Sequence, residues 1–120
     1  MSIKTSLYQY TLRHIRVVDG DTLEGDIDLG FNVELKSVKV RLEGIDCPEK
    51  STPEGIASRD FTSQWICAAE SECKTVVINV KNHKRDKYGR ILGVVTVDGQ
   101  SLTDVLLINE LGKPYSGGKR

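Results

Sequence analysis

The chain has 120 residues, 38% hydrophobic and 28% charged, a balance that suits one compact folded unit and excludes a disordered polyelectrolyte. No apolar run approaches the roughly 20 residues that span a bilayer, and the first ten residues contain no apolar stretch of the signal-peptide kind. A cytoplasmic protein without membrane contact is therefore expected. Lys plus Arg and Asp plus Glu each number 17, so overall charge names no partner. The halves differ: residues 1–73 hold 8 basic and 13 acidic side chains, whereas 74–120 hold 9 and 4. That division suits a cation site in the first half and an anion-contacting surface in the second.

Residues 7–18, 22–29 and 33–43 are rich in β-branched and alternating apolar residues and are predicted to be strands. In the third run Val33 and Leu35 take odd positions, while Val38, Val40 and Leu42 take even ones. A period of two switches parity only through an extra residue, so a bulge is expected near Lys36–Ser37. A helix follows, with Thr52 as its cap, Pro53 at its first position and Glu54 against its positive end. Ala57, Phe61, Trp65 and Ala68 recur at helical spacing and predict its buried stripe, with Trp65 packed on the sheet. Residues 75–81 and 90–97 are two more predicted strands, separated by a polar loop. A second helix over 101–111 is opened by Ser101 with Asp104 three later, and closed by Gly112. Residues 116–120 read as a basic tail.

The order β-β-β-α-β-β-α is that of the OB-fold, a mainly β architecture with helices built on a five-stranded Greek-key barrel. One domain over 1–120, with a core over 7–115, is expected. Three cysteines, Cys47, Cys67 and Cys73, cannot all pair within one chain, and free thiols are expected. The spacing of Cys67, Cys73 and His83 fits no common zinc pattern.

Chemistry concentrates in three short segments: Asp19-Gly20-Asp21-Thr22, Arg41-Leu42-Glu43-Gly44-Ile45-Asp46-Cys47-Pro48-Glu49, and Asp86-Lys87-Tyr88-Gly89-Arg90. Asp21 and Asp46, at the ends of different strands, could share a hard divalent cation, which takes oxygen ligands. Arg41 and Arg90 supply planar forks suited to phosphate oxygens. Glu49 could orient or deprotonate a water. Those are the parts that phosphodiester hydrolysis needs.

In these three segments and their order, the sequence resembles the staphylococcal nuclease (thermonuclease) family, from about Ile15 to Tyr115. The resemblance implies a short, single-domain, monomeric member with an OB barrel. It further implies calcium-dependent cleavage of DNA and RNA with little sequence specificity, leaving 3′-phosphate and 5′-hydroxyl ends. Asp21 and Asp46 then match the Ca²⁺-binding carboxylates, and Cys47 matches a residue whose backbone carbonyl joins the metal. Arg41 and Arg90 match the phosphate-binding arginines, and Glu49 the carboxylate that directs the attacking water. Lys87 and Tyr88 match contacts to a terminal phosphate, and Tyr115 a tyrosine that stacks on a base. Two departures stand out, a shorter segment after Glu49 and the lack of a final helix beyond Tyr115.

The alternative reading is a catalytically silent OB module that binds nucleic acid or protein. Such modules lose some of these carboxylates and arginines, whereas here Asp21, Arg41, Asp46, Glu49 and Arg90 are all present. Lys81, Lys84, Arg85, Lys87, Arg90 and Lys113 are the expected contributors to nonspecific affinity for nucleic acid. His14 and His83 have no sequence reason to stand beside Glu49.

Overall fold

The chain begins with three long strands, β1 (Tyr8–Asp19), β2 (Thr22–Gly30) and β3 (Val33–Leu42), followed by a two-residue strand, β4 (Ile45–Asp46). Helix α1 (Pro53–Ser71) leads to β5 (Val76–Val80) and β6 (Ile91–Val97). Two more short strands, β7 (Gln100–Ser101) and β8 (Lys113–Pro114), flank helix α2 (Leu102–Ile108). These elements come from a computed structural model that describes residues 8–115. Leu7 and the basic tail expected at 116–120 lie outside the described residues.

Strands β1, β2 and β3 form an antiparallel meander, β5 adds to the free side of β1, and β6 adds to β5. Parallel pairing of β6 with β3, through Val40–Ile91, Arg41–Leu92 and Leu42–Gly93, closes five strands into a barrel. This is the OB architecture expected from the element order. Leu23, Val40, Leu42, Ile45, Ile78, Val95, Leu102 and Leu106 are its fully buried core.

Closure depends on bending the long strands, and bulges bend them. Gly25 pairs with Val38 and Ile27 with Leu35, so Lys36 and Ser37 together oppose Asp26. That is the bulge required by the parity switch, and Ser37 adopts φ +53° within it. A second bulge was not expected. Arg13 pairs with Asp26 and Arg16 with Glu24, leaving His14 and Ile15 opposite Gly25. His14 also adopts φ +53°.

One buried carboxylate anchors both bulges. Asp26 accepts from the Ser37 amide at 2.9 Å, bonds His14 Nδ1 at 2.9 Å and meets Lys36 Nζ at 3.2 Å. These partners, the Ser37 amide foremost, hold its carboxyl at about 2, below the ordinary 3.8.

Helix α1 begins where expected: the Thr52 hydroxyl accepts from the Gly55 amide at 3.0 Å, with Pro53 at the first position. Its buried stripe differs from the sequence reading. Gly55, Ser58, Thr62, Ile66 and Ala69 face inward, Phe61 and Trp65 are partly buried against the core, and Ala57 and Ala68 are exposed. The helix approaches main chain too closely for large side chains. Thr62 Oγ1 donates to the Gly20 carbonyl at 2.9 Å, and Ser58 Oγ to the Leu111 carbonyl at 2.5 Å. Both helix C-termini close on left-handed residues, Cys73 after α1 and Glu110 after α2, with the next amide returning to Ala69 or Leu106. The closing residue of α2 is therefore Glu110 and not Gly112. Gly112 serves packing instead: a Cβ there would lie 2.7 Å from Ile45 Cδ1 and 3.1 Å from Cys47 Sγ.

Candidate active site

The β1–β2 turn, the end of β3 and the segment after β4 meet at one place on the barrel. Asp21 sits in the tight β1–β2 turn and is only 7% exposed. Its Oδ2 accepts the Cys47 amide at 2.8 Å, and its Oδ1 accepts the Thr22 hydroxyl at 3.1 Å. Gly20 makes this junction possible, because a Cβ there would lie 2.7 Å from Ser58 Cβ and 3.0 Å from Cys47 Sγ. The turn is thus fastened to α1 through Thr62 and to the β4 exit through Cys47.

Arg41, near the end of β3, reaches across this junction with its side chain 11% exposed. Nη1 donates to the carbonyls of Leu42 at 2.9 Å and Ile45 at 2.8 Å, and stands 3.4 Å from Asp21 Oδ2. Nη2 donates to Asp46 Oδ1 at 3.3 Å. One guanidinium therefore joins both carboxylates and fixes the turn from β3 to β4. The Tyr115 ring lies 5.7 Å from Arg41 Cζ, held there by its own amide donating to the Gly44 carbonyl at 3.1 Å. Asp46, with its side chain 45% exposed, turns one side to solvent.

Donor chemistry at this junction is hard. Asp21 and Asp46 present carboxylate oxygens here, the donor type that hard divalent cations take. Burial first, then the neighbouring Asp21 charge, pushes the Cys47 thiol up to about 12, so it is protonated at neutral pH. Among the described residues no group of three or more His, Cys, Asp or Glu side chains converges. Cys47, Cys67 and Cys73 are all free thiols.

A second cluster is built on the loop before β6. Asp86 accepts from the amides of Tyr88 at 2.9 Å and Arg90 at 2.8 Å, and from Arg90 Nε at 2.8 Å. Burial of Asp86 opposes these bonds, but together they hold its carboxyl below the ordinary range. The exposed Tyr88 ring stands 5.2 Å from Arg90 Cζ and 5.4 Å from Lys87 Nζ. The parallel β3–β6 pairing ties this cluster to the first, since Val40 pairs with Ile91 and Arg41 with Leu92.

Glu49 follows three residues after Asp46, before α1. It is exposed, and its carbonyl accepts the Thr52 amide at 3.0 Å and hydroxyl at 2.7 Å. A cleft of about 410 Å³ separates Asp46, Cys47 and Pro48 from the first turns of α1 and from Gly112 and Lys113. The structure thus brings Asp21, Arg41, Asp46, Cys47 and Tyr115 together, and separately Lys87, Tyr88 and Arg90. His14 and His83 bond Asp26 and Tyr10 instead. Sequence reasoning missed Ser58, Thr62, Gly55 and Gly112, which position the site through main-chain contacts and carry no chemical motif.

The structure is a five-stranded OB barrel with an arginine bridging two carboxylates at its strand ends. Residues 39–115 match the family model described as staphylococcal nuclease homologue, and the chain belongs to that family. An uncharacterized endonuclease of Escherichia coli is 35% identical over 96 residues, covering 79% of this chain and 54% of its own length. An SPbeta prophage-derived endonuclease of Bacillus subtilis (strain 168) is 32% identical over 100 residues, covering 82% and 32%. A staphylococcal-like nuclease of Arabidopsis thaliana is 30% identical over 80 residues, covering 67% and 23%. The chain spans about half the length of the first of these, and less of the others.

Proposed function

We propose that this chain hydrolyses phosphodiester bonds of DNA or RNA with little sequence specificity, in a Ca²⁺-dependent reaction. The observation that carries the reading is Arg41, whose guanidinium is locked among Asp21, Asp46 and the carbonyls of Leu42 and Ile45. A cation so fixed cannot turn away from a phosphate brought to the junction, and preorganised charge is the largest usual contribution to such catalysis. Family membership and relatives named as endonucleases or nucleases support the same reading.

In this mechanism Asp21, Asp46 and the Cys47 carbonyl would hold Ca²⁺. When bound, the ion supplies positive charge against the phosphate oxygens. Arg41 contributes a second fixed charge, and Arg90, oriented by Asp86, a third on the leaving side. Glu49 takes the proton of the attacking water as its oxygen bonds to phosphorus. The P–O5′ bond then breaks, the 5′ oxygen takes a proton from solvent, and 3′-phosphate and 5′-hydroxyl ends result. Lys87 and Tyr88 hold a neighbouring phosphate, and Tyr115 stacks on a base against the Arg41 side.

The test is cleavage of a labelled single-stranded DNA with Ca²⁺ and with EDTA, followed by end-group analysis. Cleavage confined to the Ca²⁺ reaction with 3′-phosphate products is expected. Equal cleavage in EDTA, or none in either, would remove the proposal.

A further inference from the structure

A second cavity, of about 390 Å³, opens at the barrel mouth between the β2–β3 hairpin and the loop after β5. It shares no lining residue with the cleft beside Asp46. Its walls are aliphatic, including Leu29, Leu35 and Ile91, and no carboxylate lines it. Its polar lining residues are Asn82, His83 and Arg85, together with Tyr10. The volume falls within the roughly 300–1,000 Å³ of small-ligand sites.

The rim is aromatic and basic at once. Tyr8 and Tyr10, two apart on one face of β1, hold the His83 ring at centroid distances of 4.1 and 5.9 Å. Tyr10 Oη and His83 Nε2 are 2.6 Å apart, which fixes the imidazole at the mouth. The loop beyond His83 carries Lys84, Arg85 and Lys87, none of which pairs with a carboxylate among the described residues. Lys81, by contrast, is engaged with Glu43 at 3.2 Å. The same loop is held to the start of β6 by a bridge between Arg85 and Ile91 and by the Asp86 amide on the Arg90 carbonyl at 2.8 Å. The mouth and the Tyr88–Arg90 cluster are therefore two ends of one braced segment.

Flat π-faces beside cations that no carboxylate neutralises, over an apolar recess, are what a single strand recognises: bases stack while phosphates track the charge. We propose that the mouth is a second nucleotide subsite for single-stranded nucleic acid. One base enters the recess against His83, and Lys84 and Arg85 hold the flanking phosphates. The choice of occupant rests on the nuclease reading. The subsite extends the bound strand beyond the cleaved bond, so longer single strands bind more tightly than duplexes of the same length.

The test measures binding of labelled dT12 to the full chain in EDTA, by fluorescence anisotropy across a series of salt concentrations. A Lys84→Gln/Arg85→Gln double variant should lower the magnitude of the salt slope by about 1.4, since each phosphate contact on a single strand contributes about 0.7. His83→Ala should weaken binding on the order of tenfold while leaving that slope unchanged. Circular dichroism of both exposed-loop variants checks that folding is intact. Unchanged affinity and slope in folded variants would overturn the subsite. So would concentration-dependent self-association lost in His83→Ala, which would give the mouth to a second copy of the chain. Cleavage with Ca²⁺ is scored separately. Variants that bind dT12 normally in a chain that cleaves remove the subsite alone, whereas a lowered slope in a chain that never cleaves removes the nuclease reading alone.

Discussion

Gly55→Ala tests how the site is held with a change whose sign is informative. Gly55 lies in the first turn of α1 with ordinary helical backbone, where Gly→Ala usually stabilises a protein by about 1 kcal/mol. Here an added Cβ would sit 1.7 Å from the Glu49 carbonyl oxygen and 2.9 Å from Lys50 Cα. Both obstacles are main chain, so no rotamer change relieves them. The contact has to open to at least 3.0 Å, which moves the Glu49 segment or the start of the helix by more than an ångström. Overpacking of this kind costs about 1–3 kcal/mol. At a urea slope near 2 kcal/mol per molar, that lowers the unfolding midpoint by roughly 1 M. If Glu49 directs the attacking water as proposed, a displacement of about 1 Å there is expected to reduce kcat on the order of 100-fold. Urea unfolding and a cleavage assay on the same preparation give both numbers. A variant with a raised midpoint and unchanged cleavage would refute the claim that Gly55 sets the position of Glu49.

The remaining predictions concern the turn, the bulges and the carboxylate pair. Thr62→Val keeps shape but leaves the buried Gly20 carbonyl without its donor, and thermal or urea unfolding should show a loss of about 1–3 kcal/mol. Asp26 ionises at about 2 when folded against 3.8 ordinarily, so its stabilising effect is complete above the higher value and lost as pH falls through the lower. Thermal melts should therefore show Asp26→Asn well below the parent chain at pH 6, with the gap closing near pH 2; a constant gap would dismiss the carboxylate as the anchor. Differential scanning fluorimetry should show Ca²⁺ raising the melting temperature, by about 2.7 kcal/mol of stabilisation at 100 times its Kd, with the effect abolished in Asp21→Asn.

Much of the barrel was legible because strand periodicity is a local signal. The switch from Val33 and Leu35 to Val38, Val40 and Leu42 located a bulge that the structure places at Lys36–Ser37. The bulge at His14–Ile15 left no such mark, because it depends on Gly25 across the sheet, where a Cβ would lie 2.8 Å from the Arg13 carbonyl. Hydrophobic spacing misassigned the inner face of α1 for a related reason. Ala57, Phe61, Trp65 and Ala68 form a regular stripe, yet close approach to main chain selects Gly55, Ser58 and Thr62 for the interior. Gly112 was legible as special but not in its role, since Glu110 closes α2 and Gly112 makes room for Ile45 and Cys47. The acidic and basic members of the site were readable as motifs. Their arrangement around Arg41 and around Asp86, with Glu49 exposed, depends on how distant strand ends meet.

The central claim is that these fixed charges act on a phosphodiester, and single-turnover cleavage of single-stranded DNA with Ca²⁺ addresses it most directly. Glu49→Gln and Arg90→Ala should each slow cleavage by at least 100-fold while substrate affinity changes far less, the pattern of groups that act on the transition state. Cleavage by either variant at the parent rate would contradict the account.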